Sequence, residues 1–361
     1  MTEIGQDEKI AIIGGYPPPY GGVGVSLQRV IPYLDKSGLD YVVYNTGPSK
    51  TNHPTIKDVG WSLSWALKMV VKSRHKVIQF STSRWWVRLF AALLNMTTRS
   101  KVIIYARGYS LPNSYFRGNF LKKMLVKKTL QHTEVVLATN PALGERIAEI
   151  GFPKEKIKVV PAFVPPLKPP VVDDLPESVR EFCQGKSPIL GANGGYVLID
   201  GQDVYGLRIL EQLTKNLLPK FPNLGLVVYL REGADKDKEH FLGLLEEVQR
   251  APLKDHLMFY ESAGEFCPFF SICDVFLRPT TTDGDSVSVR EALYACVPVV
   301  ASDVIPRPEG CRIYKLGHQG EFVREVTKVL ENLDEEKACI KKLPYYNNAD
   351  KLIEIYRLLL D

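Results

Sequence analysis

Short apolar runs alternate with stretches of helical periodicity along most of the chain. The first run, Lys9–Gly14, is followed by a helical pattern over Gly22–Lys36 and by a second apolar run at Tyr41–Tyr44. Such alternation is typical of βαβ units, in which helices cover a parallel sheet. The same pattern predicts strands at 76–80, 101–105, 135–139 and 157–160. The first part of the chain is therefore predicted to be an α/β domain.

A proline-rich stretch then interrupts the pattern. Prolines stand at 161, 165, 166, 169, 170 and 176, and this density is typical of a linker. The alternation restarts with strands predicted at 188–191, 225–230, 257–260, 275–277 and 297–301. We predict an α/β fold with one βαβ domain over 1–165, a linker over 166–186 and a second βαβ domain over 187–340. A C-terminal helix within 341–361 is predicted to return to the first domain, because no strand follows it.

Charge divides the chain into two unlike halves. Residues 1–165 contain 23 basic and 10 acidic residues, whereas residues 166–361 contain 23 basic and 31 acidic residues. Between Asp58 and Glu134 there are fourteen Lys or Arg and no acidic residue. The first half is therefore expected to meet an anionic partner. Nucleic acid is not expected, because no RNA-binding module signature accompanies the charge.

One basic segment has the pattern of a membrane-surface helix. Phe120, Leu121, Met124 and Leu125 form a helical stripe, with Lys122, Lys123 and Lys127 beside it. Apolar residues flanked by lysines suit an anionic membrane surface. The alternative is a cationic helix that packs on its own sheet.

Several protein classes are disfavoured. The six cysteines show no CxxC pair and no metal-ligand spacing, so reduced thiols in a cytosolic protein are expected. The acidic N-terminus lacks the pattern of a signal peptide. The apolar stretch at 86–94 is too short for a membrane span and contains Arg88. A cytoplasmic protein is expected, with peripheral binding to the inner face of the membrane through its basic half.

A glycine-rich loop joins the first predicted strand to the first helix. Gly14 ends the strand, and Gly21, Gly22 and Gly24 surround the start of the helix. Glycines at a helix N-terminus let an anion approach the backbone amides closely. The dinucleotide fingerprint needs a third glycine where this chain has Leu27, and a triproline intervenes, so a dehydrogenase is disfavoured. An ordinary tight loop remains the alternative.

The segment 278–293 forms a second candidate loop after a strand. A helix is predicted to begin near Asp285 or Ser286, with Glu291 inside it. The amides of 284–288 would then face an anion, and the carboxylates of Asp283 and Glu291 would accept hydrogen bonds from hydroxyls. This combination favours a phosphorylated sugar. A capped helix with a solvated Glu is the alternative. Turn chemistry also explains Asp283 and Asp285 better than a D-x-D metal signature does.

These segments together resemble the retaining glycosyltransferases of the GT-B class, of the group-1 or family-4 type. The resemblance rests on Pro18–Val23, on Thr139–Pro141 with Lys158–Pro161, and on Asp283–Ser302. In the last segment Asp283 and Glu291 match the two carboxylates of the E-x7-E motif, and a Val-Pro-Val-Val-Ala-Ser strand follows. The resemblance implies two Rossmann-like domains that face a central cleft, where a sugar leaves a nucleotide-sugar.

The resemblance also implies roles for single residues. Asp283 would hold sugar hydroxyls, Glu291 would hold the nucleotide ribose, and the glycine loop would meet the phosphates. Arg107 aligns with a histidine that is common in the family, and its role would be electrostatic because arginine stays protonated. Asp283 and Arg107 are therefore the predicted catalytic residues. The predicted donor-binding residues are Gly21, Gly22, Val23, Asn193, Tyr205, Arg231, Gly284, Asp285, Ser286, Val287, Ser288 and Glu291.

Two cations of the family pattern are missing from this chain. The family usually has an Arg after the first strand of the second domain and a Lys a few residues later, and both grip the diphosphate. Here these places read Gly191–Tyr196 and Asp203–Gly206. Arg231, Arg278, Arg290 or Arg307 would have to supply the charge from elsewhere.

The predicted function is that of a retaining hexosyltransferase-type enzyme, which moves a sugar from a nucleotide-sugar to a cell-surface glycan precursor or a lipid-linked acceptor. The resemblance implies that the leaving diphosphate itself acts as the base. No cofactor is expected, and a divalent metal is neither required nor excluded. The alternatives are a GT-B sugar-nucleotide epimerase or phosphorylase, and a noncatalytic glycan- or nucleotide-binding protein.

Overall fold

The structure is a computed structural model that describes residues 8–18, 20–60, 63–81, 97–98, 100–166, 168–231, 237–262, 264–344 and 347–361. The chain divides into two domains, one formed by Met1–Val164 with Asn347–Asp361 and the other by Pro165–Tyr346. Within the described residues, no helix combines the length and the hydropathy of a membrane span. The apolar stretch at 86–94 lies outside them.

The first domain is built on a parallel sheet, which has seven strands among the described residues, in the order β3-β2-β1-β4-β5-β6-β7. The strands are β1 (Ile10–Gly14), β2 (Tyr41–Asn45), β3 (Ile56–Asp58), β4 (Val77–Ser81), β5 (Lys101–Ala106), β6 (Val135–Ala138) and β7 (Ile157–Val159). The helices, numbered in chain order, are α1 (Gly22–Lys36), α2 (Leu63–Lys72), α3 (Ser110–Phe116), α4 (Phe120–Gln131), α5 (Pro141–Ala148) and the C-terminal α12 (Asn348–Leu360).

Helices cover both faces of this sheet, because alternate residues of a strand point to opposite faces. On one face Ile10 and Ile12 of β1 pack with α1 and α12. On the other face Ala11 and Ile13 pack with α2. The strands are accordingly buried on both sides and read as continuous apolar runs, which explains why they stand out in the sequence. Helix α12 contributes Leu352 and other residues to the core of this first domain.

The second domain has a parallel sheet as well, with six strands in the described residues, in the order β12-β11-β8-β13-β14-β15. The strands are β8 (Ile189–Gly194), β11 (Gly225–Arg231), β12 (Leu257–Ser262), β13 (Val275–Arg278), β14 (Val299–Ser302) and β15 (Cys311–Tyr314), and the short strands β9 (Leu198–Ile199) and β10 (Gln202–Asp203) form a hairpin. The helices are α6 (Glu177–Cys183), α7 (Leu207–Leu217), α8 (Leu242–Val248), α9 (Val287–Tyr294), α10 (Gln319–Glu331) and α11 (Leu333–Lys341). Numbered within the domain, the strand order is 3-2-1-4-5-6, the Rossmann order. The prediction of two Rossmann-like domains is confirmed.

The segment 166–186 differs from the linker that its prolines predicted. Helix α6 begins directly after Pro176, and Leu175, Val179 and Cys183 are buried in the core of the second domain. Proline is compatible with the first turn of a helix, since the N–H that it lacks has no partner there. Pro176 therefore marks the start of a short helix, and the second domain begins at Pro165.

A buried histidine is expected to make the first domain sensitive to acid. His75 is 2% exposed, donates through Nδ1 to the backbone oxygen of Glu8 at 2.6 Å and lies 3.1 Å through Nε2 from the hydroxyl of Tyr44. Burial lowers the pKa of His75 below its ordinary value. The unfolded chain then binds a proton at a higher pH than the folded chain does. The stability that His75 contributes is therefore fully present above about pH 6.5, and it is lost as the pH falls toward the pKa of His75 in the folded chain.

We expect the melting temperature of the first domain to fall as the pH drops from about 7.5 to about 5.5. The contribution of His75 to the free energy of unfolding should change by at most about 1.4 kcal/mol per pH unit. Unfolding followed by tryptophan fluorescence measures the shift, because all four tryptophans lie between residues 61 and 86. His75→Gln should flatten the slope, whereas His318→Gln, at an exposed position, should leave it unchanged. An equal slope in His75→Gln and wild type would contradict the assignment.

Candidate active site

The predicted donor site lies at the carboxyl end of the second sheet. Strands β8 and β13 are neighbours there, and the chain leaves them in opposite directions, toward β11 and toward β14. Ligands of doubly wound sheets bind at such a switch point, because the diverging loops leave a crevice. Asn193 lies near the end of β8, and Arg278 ends β13. Arg278 donates through Nη1 to Oδ1 of Asn193 at 2.9 Å and to its backbone oxygen at 3.2 Å.

Asp283 lies in a buried ion cluster with Arg278 and Arg307. Nε and Nη2 of Arg278 donate to its two carboxylate oxygens at 3.0 and 3.1 Å, and Nη1 of Arg307 donates to Oδ2 at 2.7 Å. Burial alone would raise the pKa of Asp283, but the charges of the two arginines outweigh burial and hold the pKa well below its ordinary value. Asp283 is therefore ionised, and two cations with one anion leave the cluster with a net positive charge.

The hydrogen bonds to Asp283 fill its acceptor capacity. Besides the arginines, the backbone N–H of Gly284 donates to Oδ1 at 3.0 Å, and the hydroxyl of Thr280 lies 3.4 Å from Oδ2. A carboxylate offers about four lone-pair sites, and these donors occupy them. The role of holding sugar hydroxyls stays a prediction. The geometry gives Asp283 another task, which is to neutralise and position two buried arginines.

Helix α9 begins beside this cluster. Its N-cap Ser286 accepts from the N–H of Val289 at 3.4 Å, and the hydroxyl of Ser288 donates to Oδ1 of Asn193 at 3.2 Å. The start of the helix is thereby tied to the end of β8. The first N–H groups of a helix have no intrahelical partners, so they present partial positive charge to an anion. Five predicted donor-binding residues lie at this helix start: Gly284, Asp285, Ser286, Val287 and Ser288.

Asp285 is paired with a cation of the helix that follows it. Nε of Arg290 donates to Oδ1 of Asp285 at 2.7 Å, and the side chain of Asp285 is 5% exposed. Each carboxylate of the Asp283-Gly284-Asp285 triplet thus has an arginine partner. This arrangement is that of a turn fixed by ion pairs.

Glu291 is buried further along α9, near a second carboxylate and a thiol. Donor atoms of Glu265, Cys267 and Glu291 all lie within 4.8 Å of one another. In the described part of the chain, this is the one group of three potential metal ligands that comes so close. A structural zinc site needs four ligands, and magnesium prefers oxygen ligands alone. We therefore assign no metal to the group, and Glu291 remains the predicted ribose ligand.

Two further predicted residues lie at the same edge of the sheet. A Cβ on Gly194, the last residue of β8, would come within 2.6 Å of the Tyr205 side chain, so Tyr205 packs where only glycine leaves room. The guanidinium of Arg278 lies 5.5 Å from the centroid of the Tyr205 ring. Arg231 ends β11, the neighbour of β8, and is exposed.

The remaining predicted residues belong to the first domain. Gly21 is the N-cap of α1 and cannot cap it with a side chain, and Gly22 and Val23 form the first turn. This turn follows β1 at the switch point of the first sheet, where β1 and β4 are neighbours. Arg107 follows β5, with its guanidinium 3.8 Å from the centroid of the Tyr105 ring. The stacking gives Arg107 a fixed cationic position at the carboxyl end of this sheet.

A substitution at Gly22 separates a ligand-binding role from a structural one. Gly22 is exposed at the first turn of α1 and lies outside the core. If the glycine loop binds the phosphates, as the resemblance implies, Gly22→Val should lower kcat/KM by about tenfold or more, because its side chain would keep an anion from the amides. The melting temperature should change little. Gly320→Val is the matched control, since Gly320 is an exposed glycine in the first turn of α10. If Gly22→Val unfolds, Gly22 is needed for the backbone geometry of the loop and not for ligand binding.

The architecture can be compared with solved structures. No protein-family model matches the chain, and no curated protein matches its sequence. HepE of Anabaena, solved with UDP, superposes with a TM-score of 0.68 over 96% of this chain and 94% of its own, at 14% identity. Sucrose-phosphate synthase from Thermosynechococcus elongatus gives 0.69 over 98% and 99%, at 15% identity. The chain has the GT-B fold. A glycosyltransferase from Rickettsia africae is similar over the same extent, with a TM-score of 0.68 at 13% identity.

The GT-B prediction is thereby confirmed at the level of fold. The pairing of two arginines with Asp283 was not predicted. Arg278 and Arg307 were considered as sources of positive charge, but nothing predicted that they share Asp283. Arg307 is 24 residues from Asp283 and stands between two prolines in a loop, so no periodicity links the two positions. The closeness of Glu265 to Glu291 was not predicted either, because Glu265 lies outside any motif.

Proposed function

We propose that this GT-B chain is a retaining glycosyltransferase of the hexosyltransferase type, which moves a sugar from a nucleotide-sugar to a cell-surface glycan precursor or a lipid-linked acceptor. The observation that carries the proposal is the start of α9, which lies beside a buried cluster of net positive charge at the switch point of a Rossmann-order sheet. The neighbour HepE was solved with UDP and with UDP-glucose, which supports the choice of donor.

The diphosphate is assigned to the start of α9. Backbone N–H groups of residues 284–288 supply hydrogen bonds, and the helix adds its partial positive charge. Arg278 brings a full charge to Asn193 and Tyr205, next to the places where the family pattern has its Arg and Lys. A positive cluster is notable here because residues 166–361 are acidic as a whole. The charge is concentrated where a diphosphate needs it.

The ribose is assigned to Glu291. A carboxylate accepts two hydrogen bonds from vicinal hydroxyls, and Glu291 lies on the helix whose start would hold the phosphates. Burial strengthens these bonds, because water competes less for the carboxylate.

Transfer with retention then needs no protein nucleophile. The leaving diphosphate takes the proton of the acceptor hydroxyl, the bond from the anomeric carbon to the diphosphate oxygen breaks, and the acceptor oxygen forms its bond on the same face. The chain contributes donors aimed at the negative charge that develops on the diphosphate. In the second domain these are the α9 amides and the Arg278 cluster. The electrostatic role of Arg107 stays a prediction.

Release of nucleoside diphosphate tests the proposal. The purified chain is incubated with a panel of UDP-, GDP-, ADP- and dTDP-sugars, and the free diphosphate is measured. We expect release from one donor class with water as the acceptor, and NMR recorded before the free sugar mutarotates should show the anomeric configuration of the donor. Binding without release indicates a noncatalytic nucleotide-binding protein, and a changed sugar without release indicates an epimerase. If no nucleotide binds, the proposal is wrong.

A further inference from the structure

Helices α2 and α4 lie on the same face of the first sheet. Alternate residues of β5 show this, since Val102 packs in the cluster that contains α2, and Ile104 and Ala106 pack in the cluster that contains α4. The intervening Ile103 and Tyr105 pack with α1 and α12 on the other face. Because strand side chains alternate between the faces, α2 and α4 share one face, and α1 and α12 share the other.

The outer side of α4 exposes large apolar side chains. Phe120, Leu121 and Met124 are 77%, 65% and 54% exposed, whereas Val126 and Leu130 of the same helix are buried against the sheet. Residues 120 and 124 are one helical turn apart, so they form a stripe. The predicted apolar stripe of this helix therefore faces away from the core at these three positions.

Helix α2 repeats the arrangement, although no sequence pattern indicated it. Leu67 and Val71 are 51% and 78% exposed and stand one turn apart, while Trp65 and Met69 face the core. Lys68 and Lys72 are exposed beside them. Two helices on one face thus each present an apolar stripe with lysines alongside.

The lysines of this face have no acidic partners among the described residues. Lys122, Lys123, Lys127 and Lys128 of α4 are exposed, as are Lys68 and Lys72 of α2, and none takes part in an ion pair found there. The sequence supplies no acid between residues 59 and 133. Elsewhere in the same domain lysines are paired, as Lys57 is with Glu8 and Lys154 with Glu145. The positive charge is therefore concentrated on the α2–α4 face and left unneutralised.

We infer that the α2–α4 face docks the chain on the surface of an anionic phospholipid bilayer. The exposed side chains of Phe120, Met124 and Val71 enter the boundary between headgroups and acyl chains. The lysines keep their ammonium groups among the anionic headgroups while their stems cover apolar surface. Each basic residue near such a surface adds attraction, so six on one face suffice for reversible binding. The inference does not depend on sugar transfer, because vesicle binding needs no donor.

Cosedimentation of the full chain with phosphatidylcholine vesicles, with and without phosphatidylglycerol, tests the inference. We expect binding only when phosphatidylglycerol is present, and weaker binding as salt is added. Changing Lys122, Lys123, Lys127 and Lys128 to Gln should lower the partition coefficient at least about tenfold. The matched control changes four exposed lysines away from this face, Lys36, Lys254, Lys342 and Lys351, to Gln and should bind nearly as wild type.

A second variant tests the two-helix form of the inference. Leu67→Ser with Val71→Ser alters exposed positions only, so the melting temperature should stay unchanged while vesicle binding falls several-fold. Full binding by this variant would remove α2 from the docking face. Binding that ignores phosphatidylglycerol, or an equal loss in the lysine control, would overturn the inference. If the chain forms a concentration-dependent dimer, and if the α4 changes dissociate that dimer, the face binds a second copy of the chain instead.

Discussion

Replacing Asp283 with alanine is expected to destabilise the second domain by about 3–5 kcal/mol, a larger effect than loss of a substrate contact alone would have. The carboxylate is 7% exposed and bridges Arg278 and Arg307, whose side chains are 10% and 2% exposed. Without it, two cations remain buried with no anion to offset their desolvation. Asp283→Asn should be nearly as harmful, because an amide brings no charge and presents N–H groups to other donors.

Unfolding in urea measures this effect. Circular dichroism reports both domains, and hydrogen exchange of peptides from β13 and β14 reports the second domain alone. Asp173→Ala, at an exposed position in the same domain, is the control and should stay within about 0.5 kcal/mol of wild type. Adding Arg307→Met to Asp283→Ala should restore part of the stability, because one unpaired charge is removed. A fully stable Asp283→Ala variant without activity would return Asp283 to the sugar-binding role.

Replacing Glu291 with glutamine is expected to weaken nucleoside diphosphate binding about tenfold or more. The change keeps the shape of the side chain and removes the charge that would accept both ribose hydroxyls. Hydrogen bonds to charged groups contribute about 1.5–3 kcal/mol, and about 1.4 kcal/mol corresponds to tenfold in affinity. Glu291 is 5% exposed, so water replaces the lost interaction poorly.

Calorimetric titration with the nucleoside diphosphate measures the change. Glu246→Gln is the control, because Glu246 is exposed on the surface of the same domain, and it should bind as wild type does. The deoxyribose diphosphate offers a second comparison. Wild type should bind it more weakly than the ribose form. The Glu291→Gln variant should bind the two forms about equally. Unchanged affinity in Glu291→Gln would refute the ribose assignment.

The sheets could be predicted because their strands are buried on both faces. Runs such as Ile10–Gly14 and Val275–Leu277 are apolar throughout, with Gly15 after the first and Pro279 shortly after the second. The helix over Gly22–Lys36 was predicted with its observed bounds, since a glycine-rich loop precedes it and Gly38 follows. Local signals of this kind act within a few residues of the element that they define.

Other elements gave no such signal. Strand β15, Cys311–Tyr314, contains Arg312 and has exposed residues because it lies at the edge of its sheet. The hairpin of β9 and β10 is only two residues long on each side. Short edge elements are stabilised by their neighbours in the fold, and sequence periodicity carries little information about them.

The candidate site shows the same difference between local signals and long-range contacts. The loop and helix at 283–291 were predicted because the spacing of Asp283, Ser286 and Glu291 is local. The pairing of Asp283 with Arg307 was not, since it depends on how a loop after β14 returns to the loop after β13. A carboxylate that looks free in a motif can therefore be committed to partners that only the fold brings near.

A crystal structure of the chain with the nucleoside diphosphate that the donor panel selects tests the assigned donor site most directly. We expect both ribose hydroxyls to lie within hydrogen-bond distance of the carboxylate of Glu291. The phosphate oxygens should accept from backbone N–H groups of residues 284–288, with the Arg278–Asp283–Arg307 cluster intact. A nucleotide bound elsewhere in the second domain, or one whose ribose does not contact Glu291, would contradict this assignment.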